Sequence, residues 1–189
     1  MKLQQVKHIV IFGVLFVVVP LVILAIFRKR IFGYILKPEQ EKYIKGLNKK
    51  LQNKFRRFID RVEAETDYNV IVTDGYRTFA EQQKEHLADP RNPAPGYSIH
   101  NYGGAIDINA IADTSYLRKS TSKETWEKSG IPNIARDMGF TWGGDFPSYY
   151  DPVHIGLDRE YDVDKLRAIA IAEYGTDWNN IHGNQIQLT

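Results

Sequence analysis

The sequence predicts an α+β domain with a small, mainly antiparallel sheet and helices on one face, preceded by one transmembrane helix. Three observations lead there. An apolar run opens the chain, short β-branched stretches bounded by Gly, Pro and Asp recur after it, and amphipathic helical spacing separates those stretches. The 189 residues suffice for one ordinary domain and an appendage. With no cysteine, disulfides and thiolate metal sites are both excluded.

The apolar run, residues 9–27, is uncharged and interrupted only by Gly13 and Pro20, and it stops at Arg28, Lys29 and Arg30. As a helix it is about 28 Å long, close to the thickness of a bilayer's hydrocarbon core. It is longer than the usual apolar region of a signal peptide and lacks a small-residue cleavage site, so residues 1–37 are read as a membrane anchor. The formal charge of +2 conceals an asymmetry. Residues 1–37 hold six of the 25 basic residues and no acid, which leaves 19 basic against 23 acidic residues beyond. That acidic remainder gives no support to nucleic-acid binding.

Residues 38–68 are expected to form an amphipathic basic helix leading into the domain, because Tyr43, Leu47, Leu51, Phe55, Phe58, Ile59 and Val62 recur at helical spacing. Its lysines and arginines are read as a solvated face, with contact to anionic lipid as the lesser alternative. The domain proper is placed at 69–175. A buried strand over 68–73 ends at Asp74 and Gly75, and Thr78 with Glu81 forms the signature of a capping box. A helix therefore follows, with Arg77 just ahead of it. Three prolines within residues 89–96 exclude a regular element. Residues 113–128 are read as an insertion or substrate-side loop. A short helix over 131–138, strands over 140–142 and 151–157, and a helix over 163–174 complete the domain, and residues 176–189 are read as a polar C-terminal tail.

Chemistry concentrates in two stretches. Ser98-Ile-His100-Asn-Tyr-Gly103-Gly104-Ala105-Ile-Asp107 offers an imidazole and a carboxylate with small residues between them, and Asp107 is expected to lie inward among Ile106 and Ile108. A buried carboxylate needs a cation or other partner. Asp151-Pro-Val-His154 adds a second imidazole and a spare carboxylate. A catalytic zinc is typically held by three side chains with one position left for water, so His100, Asp107 and His154 make a candidate metal site with Asp151 free beside it. No histidine has a serine partner at a spacing that suggests serine hydrolysis.

Ser98-x-His100-x-x-Gly103-x-Ala105-x-Asp107, then Trp142-Gly143-Gly144-Asp145, then Asp151-x-x-His154, resembles the VanY-like zinc peptidases of bacterial cell walls. These are the D-alanyl-D-alanine carboxypeptidases and dipeptidases and the L-alanyl-D-glutamate endopeptidases. The resemblance covers about residues 69–157. It implies one zinc per chain on His100, Asp107 and His154, a general base at Asp151, and an Arg77 that helps hold the substrate carbonyl. Ser98, Asp145 and Trp142 are assigned to substrate binding or to support of the ligands. Phe146 departs from the Trp that often follows Gly-Gly-Asp in the endopeptidases, which bears on the subfamily and not on the chemistry.

The implied substrates are peptidoglycan stem peptides, cut at the L-alanyl-D-glutamate bond. The alternatives are removal of a terminal D-alanine and, from another class, a non-catalytic wall-binding or signalling module. The N-terminal helix implies membrane lipid as a second partner. The wall lies on the periplasmic or extracellular side, where the catalytic domain is therefore expected. Arg28, Lys29, Arg30 and Lys37 outnumber Lys2 and Lys7 and point the other way by the positive-inside rule.

Overall fold

In a computed structural model, residues 38–188 are described. The apolar run at 9–27 lies outside them, as do residues 1–37 as a whole. Among the described residues no helix is long and apolar enough to cross a membrane.

Two helices open the described chain where one was expected. Helix α1 spans Pro38–Gly46 and α2 spans Gln52–Glu65, with a turn between them. Leu47 and Leu51 hide this break in the periodic pattern because both are buried as if the helix ran on. The turn is made by Asn48, whose side chain caps Lys50 N and whose Nδ2 donates to Ile186 O at 3.0 Å. Helix α2 does not merely lead into a domain. Its Phe55, Phe58, Ile59 and Val62 are buried, and Phe55 and Phe58 meet Phe140 at ring distances of 4.9 and 5.4 Å. The basic face is partly ion-paired: Lys54 meets Glu160, Arg56 meets Glu41, and Arg61 meets Glu65.

Strand β1, Asn69–Asp74, precedes helix α3, Phe79–Ala88, which starts at the expected capping box of Thr78 and Glu81. Strand β2 is Ala105–Ala112, β3 is Ser115–Leu117, β4 is Thr141–Trp142 and β5 is His154–Gly156. Helices α4, Lys123–Lys128, and α5, Ile131–Asp137, lie between β3 and β4, and α6, Val163–Tyr174, follows β5. All pairings are antiparallel, in the order β1-β2-β5-β4, with β3 on the far end of β2. The α+β class and small antiparallel sheet expected from the sequence are thus present.

Alternation along β2 decides which side chains face where. Ile106, Ile108 and Ala110 are fully buried in the core, so Asp107 faces the opposite side of the sheet. It is not set among its apolar neighbours as the sequence reading had it. A bulge between Val72 and Asp74 shifts the β1 register so that Asp74 stands opposite Asp107. Bulges of this kind re-aim side chains next to functional sites.

Two segments read as polar periphery contribute to the core. Residues 113–128 contain β3 and α4, and Trp126 is wholly buried with its Nε1 donating to Arg118 O. In the C-terminal tail Ile181, Ile186 and Leu188 are buried, and Trp178 stacks near Phe79 at 5.8 Å. The domain therefore reaches past both ends of 69–175, and residues 38–188 lie in a single compact unit.

Two stability effects follow. Trp126→Ala is expected to lower unfolding stability by about 3–5 kcal/mol, the cost of emptying a large aromatic site, as read from urea denaturation. Asn48→Ala leaves Ile186 O without its donor, and about 1–3 kcal/mol should be lost in the same measurement.

Candidate active site

Each candidate ligand is fixed by the backbone before its chemistry begins. His100 sits on a 3₁₀ turn, Ile99–Tyr102, opened by Ser98 Oγ accepting from His100 N and closed by Gly103 at φ +64°. A Cβ at Gly103 would lie 2.3 Å from Asn48 N, so this loop packs directly on the break between α1 and α2. Asp107 and His154 are cross-strand partners in the β2–β5 pair, which places their side chains on one face. Asp151 N donates to Gly143 O at 3.2 Å, and His154 N to Asp151 O at 3.1 Å. Gly143 is needed for this approach, since a Cβ there would stand 2.2 Å from Asp151 O.

Three donor atoms converge. His100 Nε2 lies 3.1 Å from His154 Nδ1 and 3.4 Å from Asp107 Oδ1, and His154 Nδ1 lies 3.6 Å from the same oxygen. Ligands about 2.0–2.1 Å from a tetrahedral zinc stand about 3.3 Å apart. The triangle has that size.

The opposite ring nitrogens fix the tautomers. His100 Nδ1 is 2.7 Å from Gly75 O, a group that only accepts, so Nδ1 carries the proton. His154 Nε2 is 2.8 Å from Asp158 Oδ2 and carries the proton for the same reason. Two lone pairs and a carboxylate oxygen are left facing one another. Asp107 Oδ1 is buried and accepts no hydrogen bond. Such a cluster asks for a cation. Burial disfavours the charged imidazole of His154, yet Asp158 and Asp107 together push its pKa up to about 10. Burial likewise opposes ionisation of Asp107, but His100 and His154 hold its carboxyl well below the usual range. The three residues form a group able to hold a metal ion, and two imidazoles with one carboxylate suit zinc.

Asp151 stands beside the triangle. Its Oδ1 is buried without a hydrogen bond, and the exposed Lys119 Nζ is 3.6 Å away. Burial first, and then the Asp107 carboxylate, raise its pKa above the ordinary aspartate value. Arg77, 21% exposed, is held by Asp74 at 2.5 Å and Gln82 at 3.1 Å, and its charge is felt at Asp107.

The remaining candidates play other parts. Asp145 is committed to Arg136, with bonds of 2.8 and 2.9 Å, and lies 3.5 Å from Lys123. Trp142 is wholly buried, donates from Nε1 to Pro152 O, and has Lys123 Nζ 5.5 Å and Arg136 Cζ 5.2 Å from its ring centroid. Trp142 thereby ties β4 to the residue after Asp151, and Asp145 is held by Arg136. Phe146, the departure from the family pattern, stacks against His154 at 5.3 Å.

Sequence reasoning missed Asp158. The available signal was its position four residues after His154, in a stretch that leaves the strand immediately after Gly156.

Comparisons with known proteins agree with this geometry. Residues 91–157 match the family model described as D-alanyl-D-alanine carboxypeptidase. Over 103 residues the chain is 32% identical to the peptidoglycan L-alanyl-D-glutamate endopeptidase CwlK of Bacillus subtilis (strain 168), covering 47% of this chain and 60% of that relative's length. The L-Ala D-Glu endopeptidase ChiX of Serratia marcescens shares the fold, with a TM-score of 0.50 and 21% identity over 67% of this chain and 92% of ChiX. A VanY D,D-pentapeptidase crystallised with Zn(II) matches at a TM-score of 0.44 and 23% identity, covering 65% of this chain and 78% of its own. The motif residues, the donor triangle and the match over residues 91–157 all point to a likeness to the cell-wall peptidases described as D-alanyl-D-alanine carboxypeptidases, of whose curated relative the chain spans 60%.

Proposed function

We propose that the protein is a membrane-anchored zinc metallopeptidase that hydrolyses peptidoglycan stem peptides at the L-alanyl-D-glutamate bond. The observation that carries this reading is the preformed triangle of His100, Asp107 and His154 with the Asp151 carboxylate beside it, whose Oδ1 is buried without a hydrogen bond. A zinc ion held there supplies a Lewis acid for the scissile carbonyl and lowers the pKa of a bound water to about 7.

The chain's own residues do the rest. Asp151 accepts the proton of the attacking water and passes it to the leaving amine, a task suited to a carboxylate whose basicity is raised by burial. Arg77 is assigned the role of adding positive charge for the developing oxyanion; its charge is felt at Asp107, and Asp74 and Gln82 hold its guanidinium. Ser98 fixes the turn that aims His100.

The endopeptidase reading draws on CwlK, which bears that activity in its name, and removal of a terminal D-alanine draws on the description of the matching family model. Incubating the full chain, purified in detergent, with defined stem peptides separates them by mass spectrometry. Chelator-sensitive release of a fragment beginning at D-glutamate is expected. Loss of one D-alanine instead would transfer the protein to the carboxypeptidases, and zinc binding with no cleavage would favour a non-catalytic wall-binding module.

The anchor rests on residues 9–27, and placement on the periplasmic or extracellular side rests on where the wall lies. Protease added to spheroplasts should digest the domain; protection of the domain would overturn that placement.

A further inference from the structure

Outside the triangle and Asp151, a half-buried acid in direct contact with a candidate ligand is Asp158, which neither the motif residues nor the match over residues 91–157 accounts for. Its carboxylate is three-quarters shielded and spends one oxygen on His154 Nε2 at 2.8 Å. The partner of the other imidazole is a neutral carbonyl, Gly75 O. The two histidines are therefore held differently, one by a dipole and one by a full negative charge.

The chain is shaped to allow this contact. Asp158 follows β5 directly and must fold back over Gly156 to reach the ring. A Cβ at Gly156 would stand 2.5 Å from both Asp158 Oδ2 and His154 Nε2. Position 156 thus has room for the carboxylate and the ring edge only when it carries no side chain.

We propose that Asp158 is a positioning residue for the metal centre: its carboxylate holds His154 in the Nε2–H tautomer, turns Nδ1 toward His100 and Asp107, and raises the donor strength of that nitrogen. The inference rests on the reading that His100, Asp107 and His154 hold zinc. Metal-ligating histidines whose outer nitrogen donates to a carboxylate lose about 10–100-fold in metal affinity when that partner is removed.

The test is zinc affinity of the full chain in detergent, measured by competition with a chromogenic chelator, for the parent and for Asp158→Ala, Asp158→Asn and Gly156→Ala. Asp158→Ala is expected to bind zinc about 10–100-fold more weakly. Asp158→Asn should lose less, because its amide oxygen still accepts from Nε2–H without the charge. Gly156→Ala should weaken binding by displacing the carboxylate while Asp158 itself is intact. Thermal melts of the metal-free proteins report folding, and the isosteric Asp158→Asn keeps the test decisive should the alanine variant fail to fold.

A second readout is the His154 Nε2–H resonance in long-range ¹H–¹⁵N spectra of the zinc-loaded chain. It should move in Asp158→Asn while the His100 signals stay in place. Folded Asp158 variants with zinc affinity within twofold of the parent, or an unmoved His154 signal, would overturn the inference. A chain that binds zinc in this order of affinities yet cleaves no stem peptide supports the inference and removes the peptidase reading, so the two fail separately.

Discussion

Asp151→Asn is expected to reduce kcat on stem peptides by about 10²–10⁴-fold while zinc binding stays at the parent level, the usual contribution of a positioned proton-transfer group. The substitution keeps volume and shape and removes only the ability to take a proton. Asp151 is outside the donor triangle, so its change leaves His100 Nε2, His154 Nδ1 and Asp107 Oδ1 where they are. The loop should also persist, because it is held through backbone groups, Asp151 N to Gly143 O and His154 N to Asp151 O. Retained turnover in Asp151→Asn would remove the residue from the role of base. Lost zinc would recast it as part of the metal site.

His100→Ala and His154→Ala are expected to abolish both zinc binding and hydrolysis. Each leaves two protein donors where a catalytic zinc takes three. Each also strips a partner from Asp107, whose buried Oδ1 accepts no hydrogen bond, so a poorly compensated carboxylate remains. Both variants should therefore melt below the parent even without metal. Metal analysis and thermal melts on the same samples check both effects. Zinc retained at parent affinity in either variant would mean that the ion sits elsewhere.

The site was more legible than its supports. His100, Asp107, His154 and Asp151 announce themselves because ligand-type side chains at short spacing, among glycines, are unusual on a chain without cysteine. Arg77 was placed correctly just ahead of α3 because capping chemistry is local: Thr78 and Glu81 suffice to mark the helix start. What the pattern could not carry was set by distant contacts. The break after α1 depends on Asn48 reaching Ile186, 138 positions away. Trp126 is surrounded in sequence by polar residues, and the isolated Ile186 and Leu188 show no period, so local pattern assigned all three to the periphery. Asp145 and Trp142 drew attention through the motif, yet Arg136, which holds one and stacks on the other, carries no local sign of either role. Asp158 escaped because its partnership with His154 depends on a fold-back permitted by Gly156, a shape that spacing does not encode.

The register of β2 against β5 is where sheet and chemistry meet. Asp107 and His154 are directly paired residues, and His100 joins them from the turn ahead of β2, 54 positions before His154 in the chain. A slip of one residue would turn His154 to the opposite face and dissolve the triangle. A bound ion therefore acts as a removable cross-link, clamping a strand pair only three residues long and closing a large loop of chain, which constrains the unfolded state as well as the folded one. Chelation should loosen the sheet from this point outward, with amide exchange quickening at Ile106 and Ile155 well before it does in α2, so that the ion which performs the chemistry also sets how long the strands stay paired.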